Sequence, residues 1–166
     1  MTPSEKLYEK LKALGLNFFV SVPCKLLAGL ITLLENDPEI MYTPVTREEE
    51  GLGVLAGAFL AGKRPAIVMQ NSGIGNSINA ICSLLNYYQL PITFIISHRG
   101  SLGEKIEAQK PMGNAVKDLL KAAMVDYYEI HTLDELSLLK EGISKSFAQQ
   151  KPVAFLFPFR FWEDVA

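Results

Sequence analysis

The chain has 166 residues, 49% hydrophobic and 20% charged, with a formal net charge of −2. That length supports one domain with a sizeable core, and the composition excludes a disordered chain. The near-neutral balance gives no electrostatic basis for binding nucleic acid or an anionic membrane, and no apolar run is long enough to cross a bilayer.

The elements alternate between helical and strand periods. Leu7, Leu11 and Leu14 follow Pro3 and Ser4 at helical spacing, and Gly15 is a stop signal. Residues 17–22 form an apolar run that predicts a buried strand, ended by Pro23. Residues 25–35 predict a second helix and 40–45 a short strand. Residues 47–61 are helical, with Ala56, Gly57, Ala58 and Ala61 permitting close approach to a neighbour. Residues 65–69 predict a strand, followed by an Asn71-Ser72-Gly73-Ile74-Gly75-Asn76 turn and a helix through Leu85. Residues 91–97 are the longest apolar run and predict a central strand. Residues 98–113 read as a polar, glycine-containing loop, mobile over 101–112. A helix over 114–123, a strand over 125–130, an amphipathic helix over 133–149 and a last strand over 153–157 complete the chain.

Strands that alternate with helices and are apolar along their whole length predict a parallel sheet covered on both faces. The expected fold is α/β, three-layered and doubly wound, as one domain over residues 1–166. Ligands in such sheets bind beyond the carboxyl ends of the strands. That rule directs attention to residues 22–25, 46–50, 70–76 and 97–113.

The glycines of the 71–76 turn let a backbone approach a ligand, and free N–H groups at the helix start can hold an anion or a polar ring. The turn is neither a Walker A loop nor a dinucleotide fingerprint, and a tight turn needing glycine for geometry alone gives the same pattern. The triplet Glu48-Glu49-Glu50 opens a helix, where the dipole favours carboxylates. Successive helical residues point about a hundred degrees apart, so one or two of the three face any single ligand. His98 and Arg99 follow the strongest strand, either as ligands or as a solvated loop pair. His131 reads as ordinary surface, Cys24 as a small filler and Cys82 as core. The two cysteines, Cys24 and Cys82, form no CxxC pair, so neither a metal site nor a disulfide framework is expected, and a reducing cytoplasm is the expected setting. The charged N-terminus lacks a signal-peptide core.

The run Glu48-Glu49-Glu50-Gly51-Leu52-Gly53-Val54-Leu55-Ala56-Gly57-Ala58-Phe59-Leu60-Ala61-Gly62-Lys63, then the Ser72-Gly73-Ile74-Gly75 motif after the next strand, resembles the pyrimidine-binding domain of thiamine-diphosphate enzymes. Val22-Pro23, Met69 to Asn76, Pro91, Arg99-Gly100 and Gln109 are similar to phosphonopyruvate and sulfopyruvate decarboxylases over nearly the whole chain. The resemblance implies a carboxy-lyase with thiamine diphosphate as cofactor. Glu48 is then the catalytic carboxylate on the aminopyrimidine ring, and Asn71, Ser72, Gly73, Gly75 and Asn76 complete the cofactor site. The Gly-Asp-Gly and Asn-Asn motifs that hold the diphosphate and Mg²⁺ in this family do not occur in this sequence. A chain starting at Met1 and covering only this domain resembles the alpha subunit of the two-subunit sulfopyruvate enzymes of coenzyme M biosynthesis. The resemblance thus implies a diphosphate-binding beta subunit holding Mg²⁺, in a hetero-oligomer with several copies of each chain. Sulfopyruvate is a dianion that needs cationic donors; the candidates are Lys25, Arg47, His98 and Arg99. Three alternatives stand beside this reading: a phosphonopyruvate decarboxylase subunit, a non-catalytic regulatory domain of the same fold, and a flavodoxin-like nucleotide module.

Overall fold

The strongest apolar runs become the centre of a sheet. In the computed structural model, which describes residues 1–165, these are β3 (Pro65–Gln70), β4 (Thr93–His98) and β6 (Val153–Pro158), buried along almost their whole length. The shorter β1 (Phe18–Ser21), β2 (Met41–Pro44) and β5 (Asp126–Glu129) complete the set. Within the described residues the six strands are all parallel, in the order β2-β1-β3-β4-β6-β5. The expected doubly wound parallel sheet is present. No helix among the described residues is long and apolar enough to cross a membrane.

Alternate residues of each buried strand enter opposite cores. On one face Phe19, Val68, Ile95 and Phe155 pack against α1 (Pro3–Ala13), α2 (Ala28–Asn36) and α6 (Leu138–Gln149) through Leu7, Leu11, Leu30, Leu34, Leu139 and Ile143. On the other, Val20, Ile67, Met69, Phe94 and Ile96 pack against α3 (Glu48–Leu60), α4 (Ser72–Ala80) and α5 (Lys110–Ala122). The final 3-10 turn, Phe159–Val165, lays Phe161 and Trp162 on the first core. A capping box starts α1: the Glu5 N–H donates to Thr2 Oγ1 at 3.2 Å and the Thr2 N–H to Glu5 Oε2 at 2.7 Å.

This arrangement creates two places where neighbouring strands send their connections to opposite faces. After β1 the chain turns to α2, and after β3 to α4, so a crevice lies between β1 and β3. After β4 it turns to α5, whereas after β6 it lies on the opposite core. A second crevice therefore lies between β4 and β6. Such divergence points are where doubly wound sheets bind ligands.

Several boundaries differ from the sequence-based expectation. The glycine segment 71–76 is the first turn of α4 rather than a loop before it, with Asn71 at its N-cap. Gly73 leaves space for the Glu48 side chain there, not for a reversal of direction. The helix then widens into a π turn at Ile81–Asn86. Helix α5 begins at Lys110, four residues early, because Pro111 occupies a first-turn position where no amide bond is lost. The predicted 133–149 helix divides into a 3-10 turn, Asp134–Ser137, and α6.

The segment between β4 and α5, expected to be mobile over 101–112, is tied down at Glu104. Its carboxylate accepts from Arg99 Nε at 2.6 Å and Nη2 at 2.9 Å, and from the N–H groups of Gly100 and Ile106 at 3.2 and 3.0 Å. The Glu104 side chain is only 1% exposed. The Arg99 guanidinium beside it holds the Glu104 carboxyl at about 2. Gly100 has φ +80°, and a side chain there would overlap the Gln109 carbonyl.

Two predictions follow from this packing. At Gly142 a Cβ would lie 2.6 Å from Phe155 Cζ and 2.8 Å from Tyr128 Cε2. Gly142→Ala therefore loses about 1–2 kcal/mol in denaturant unfolding, because overpacking outweighs the gain in helix propensity. Glu104→Gln strands a buried guanidinium and costs about 3 kcal/mol at neutral pH. The folded-state pKa of Glu104 lies below its ordinary 4.5. Its contribution is therefore complete above that value and lost as pH falls toward about 2. The variant should flatten the acid limb of the stability–pH curve in that window.

Candidate active site

The three glutamates at the start of α3 have separate fates. Glu50, exposed, turns back so that Oε2 accepts from Thr46 N at 3.2 Å and Thr46 Oγ1 at 2.8 Å, which keeps its carboxyl below the usual range. Glu49 Oε1 pairs with Arg47 Nε at 2.6 Å. Glu49 is half-buried, with its Oε2 buried and unpartnered, and Glu48 turns inward furthest, at 8% exposed. Its Oε2 accepts a long bond from Asn76 Nδ2, 3.4 Å. Its side chain lies across Gly73: a Cβ built there would overlap the carboxylate, 2.6 Å from Oε1. The N-termini of α3 and α4 thus meet around one buried acid, and the helix dipoles favour its charge.

The other residues of the α4 turn divide in role. Ser72, Gly75 and Asn76 are exposed beside Glu48. Asn71 is buried and braces two strand ends: its Nδ2 donates to the Arg99 carbonyl, and the Arg99 N–H donates to its Oδ1, both at 3.0 Å. Its amide is therefore committed to the fold.

Across the same crevice lies a polar group that was not among the expected site residues, although Gln70 and Gln109 belong to the motifs that carry the resemblance. Gln70 Nε2 donates to Ser72 Oγ at 3.0 Å and to Gln109 Oε1 at 2.9 Å. Cys24 Sγ lies 3.3 Å from Ser97 Oγ and 3.9 Å from Gln70 Oε1. Cys24 reads in sequence as filler, yet here the thiol is part of the wall beyond β1. The available signal was the end position of Gln70 on its strand; its pairing with residues 24, 97 and 109 needed the sheet register.

The four cationic candidates are not gathered into one cluster. Lys25 is exposed in the 3-10 turn after β1. Arg47 is exposed and paired with Glu49. The Arg99 fork is occupied by Glu104. Lys25 and Arg99 share a cavity of about 470 Å³ with Lys105, Phe159 and Trp162. His98 is buried and its Nε2 faces the Gly113 carbonyl at 2.9 Å, which requires the proton on that nitrogen. Burial holds the imidazole below its ordinary value. His98 thus offers an anion neither charge nor a spare N–H. It lines a different cavity, beyond β4 and β6.

No protein-family profile matches the chain. Curated proteins do. The sulfopyruvate decarboxylase subunit alpha of Methanococcus maripaludis is 47% identical over 164 residues, which is 98% of each chain. That of Methanocaldococcus jannaschii is 48% identical over 98% of this chain and 97% of its own. The phosphonopyruvate decarboxylase of Streptomyces viridochromogenes is 38% identical over 89% of this chain, which is 38% of that protein. Among solved structures, a 2-oxoglutarate:ferredoxin oxidoreductase from Magnetococcus marinus superposes with a TM-score of 0.73 at 12% identity, over 98% of this chain and 29% of that one. A Mycobacterium smegmatis protein assigned to the thiamin diphosphate-dependent enzymes gives 0.70 at 17%, over 98% of this chain and 31% of that one. These two likenesses establish the fold. The near-complete coverage and high identity of the alpha subunits establish the family: the chain belongs to the sulfopyruvate decarboxylase alpha-subunit family.

Proposed function

We propose that this chain, as one pyrimidine-binding domain, is the alpha subunit of a thiamine-diphosphate-dependent decarboxylase that converts 3-sulfopyruvate to sulfoacetaldehyde and CO₂. The observation that carries this reading is the buried Glu48 carboxylate, seated on Gly73 beyond the β1/β3 crevice. A planar, nitrogen-rich ring fits such a site, because a desolvated carboxylate seeks an N–H partner.

Thiamine diphosphate, when bound, supplies a thiazolium that accepts the electron pair released with CO₂. Glu48 holds a proton against a ring nitrogen of the pyrimidine and so sets its tautomer. Gly73 leaves the space in which that carboxylate sits, and Asn76 steadies its second oxygen. Gln70, with Ser72 and Gln109, presents amide and hydroxyl groups to the crevice. In the net reaction CO₂ leaves the 2-oxoacid and a proton takes its place on the same carbon, so no oxidant is required.

Among the cationic candidates, Lys25 is best placed to meet the sulfonate, since it is exposed at the end of β1 beside Cys24. Arg47 is second. Arg99 acts through the loop it anchors, and His98 through its bond to Gly113. The diphosphate and Mg²⁺ fall to a beta subunit, and several copies of each chain assemble into the active enzyme. The subunit naming of the relatives supports a partner chain. The setting is a reducing cytoplasm, consistent with two free thiols, Cys24 and Cys82, and the product enters coenzyme M biosynthesis. Phosphonopyruvate is the second substrate reading, supported by the Streptomyces viridochromogenes relative.

The direct test is CO₂ release from sulfopyruvate, phosphonopyruvate and pyruvate. Each reaction contains this chain, thiamine diphosphate and Mg²⁺, with and without a diphosphate-domain chain. Turnover of sulfopyruvate only in the mixture is expected. Preference for phosphonopyruvate would move the substrate assignment, and an intact complex inactive on all three would leave the regulatory reading.

Within the active complex, Glu48→Gln should lower kcat by roughly 10²–10⁴-fold, the range for a lost general acid–base group. Gly73→Ala should do likewise by displacing the carboxylate, while Glu49→Gln stays within about twofold, since the Glu49 carboxylate pairs with the exposed Arg47 and does not lie on Gly73. Near-normal turnover in Glu48→Gln would remove the assignment of Glu48.

A further inference from the structure

The second crevice, between β4 and β6, is not used by the chemistry at Glu48. It opens into a cavity of about 660 Å³, a size typical of small-molecule sites. Strand β3 and the turn at Asn71 separate it from Glu48. Its walls come from four places: His98 at the end of β4, Asn114 and Lys117 on α5, Glu129 and His131 at the end of β5, and Arg160 after β6.

The charges in this crevice are uneven. Glu129 Oε1 accepts from Lys117 Nζ at 2.8 Å, and its Oε2 lies 3.8 Å from His131 Nε2. The carboxylate is thus bonded to Lys117, with the His131 ring beyond hydrogen-bond distance beside it. Arg160 is exposed and forms no ion pair with any side chain of residues 1–162. Lys6 lies across Arg160 and His131 in an adjoining depression of about 410 Å³. His98, on the cavity wall, is 5% exposed; its Nε2–H is spent on Gly113 and its Nδ1 is buried, so it shapes the wall and leaves any anion to the basic groups.

We propose that this crevice binds a small organic oxyanion, with Arg160, Lys117 and His131 around its anionic group, at a site separate from Glu48. Arg160 supplies a fork suited to a tetrahedral or carboxylate headgroup. Lys117 has donors beyond the one that Glu129 takes, so an anion joins that pair without breaking it. The strand topology supplies the space, and the three basic groups supply the selectivity for negative charge. None of this depends on the reading of Glu48.

The chain contains only two histidines, His98 and His131. Both line this cavity, so their imidazole C–H signals report on it directly. The full chain, with ¹³C-labelled histidine, is titrated at constant pH and ionic strength with methanesulfonate and, separately, inorganic phosphate. His131→Gln assigns the two signals. A saturable shift of the His131 signal is expected, with a midpoint in the millimolar range, on the order of 1–10 mM. Arg160→Gln should weaken it by about tenfold, the loss of one charged hydrogen bond, and Lys117→Gln should weaken it further when combined. Glu48→Gln should leave it unchanged. Response to both probes fits a general oxyanion site, and response to one alone selects the headgroup. The proposal is overturned if neither probe gives a saturable shift. It also fails if the shift survives in the Arg160→Gln, Lys117→Gln double variant, or if it disappears in Glu48→Gln, which would place the anion in the first crevice.

Discussion

The placement of the Glu48 carboxylate against the bare backbone of Gly73 is the constraint around which the rest of this structure is organised. A buried carboxylate is costly unless it is paired or given fixed dipoles. Here two helix N-termini converge on it, and both helices lie on the same face of the sheet. Gly51 lets α3 approach β1 and β3: a Cβ there would come within 3.1–3.3 Å of Val20, Val45 and Ile67. The small residues of α3 and the glycine of α4 therefore serve one end, which is to bring an acid to the carboxyl edge of the strands and hold it dry.

A second group of contacts fixes the segment between β4 and α5. Asn71 ties the end of β3 to Arg99, Arg99 is gripped by Glu104, and Gly100 and Gly113 pack backbone on backbone. Ser101 extends the tie to β6, since its Oγ donates to the His98 carbonyl at 2.7 Å and accepts from the Phe159 N–H at 2.8 Å. This segment borders both crevices. Gln109 bonds Gln70 in the first, and His98, Gly100 and Gly113 wall the second. This polar, glycine-containing stretch is thus anchored at several points, where its donors and acceptors find partners within the protein.

The relation to the sulfopyruvate decarboxylase alpha subunits gives this architecture a division of labour. The chain presents a carboxylate beside exposed Ser72, Gly75 and Asn76, and cationic groups on either side, but its sequence carries no Gly-Asp-Gly run. In the proposed function Glu48 bears on a ring, not on a phosphate. The conformation of the glycine segment agrees with that: as a helical turn, it offers side-chain space and exposed polar groups rather than a loop that wraps an anion.

The sequence by itself determined the layers, the parallel sheet and the position of the strands, because hydrophobic period is a local property that burial enforces residue by residue. It also placed an acidic triplet and a glycine motif at strand ends. Which glutamate turns inward was decided by tertiary structure, through the space over Gly73 and through Thr46 and Arg47, which occupy Glu50 and Glu49. Glycine and proline signalled a loop at 71–76 and 110–113, whereas packing against the sheet extended the helices over both. His98 and Arg99 were legible as strand-end residues, but their engagement by Gly113 and Glu104 was not. The grouping of Cys24 with Gln70, Ser97 and Gln109, and the crevice between β4 and β6, arise from strand order. The insertion of β6 between β4 and β5 joins residues some sixty positions apart, such as His98 and Pro158. No local pattern encodes that pairing, because it is set by which edges meet when both cores close at once.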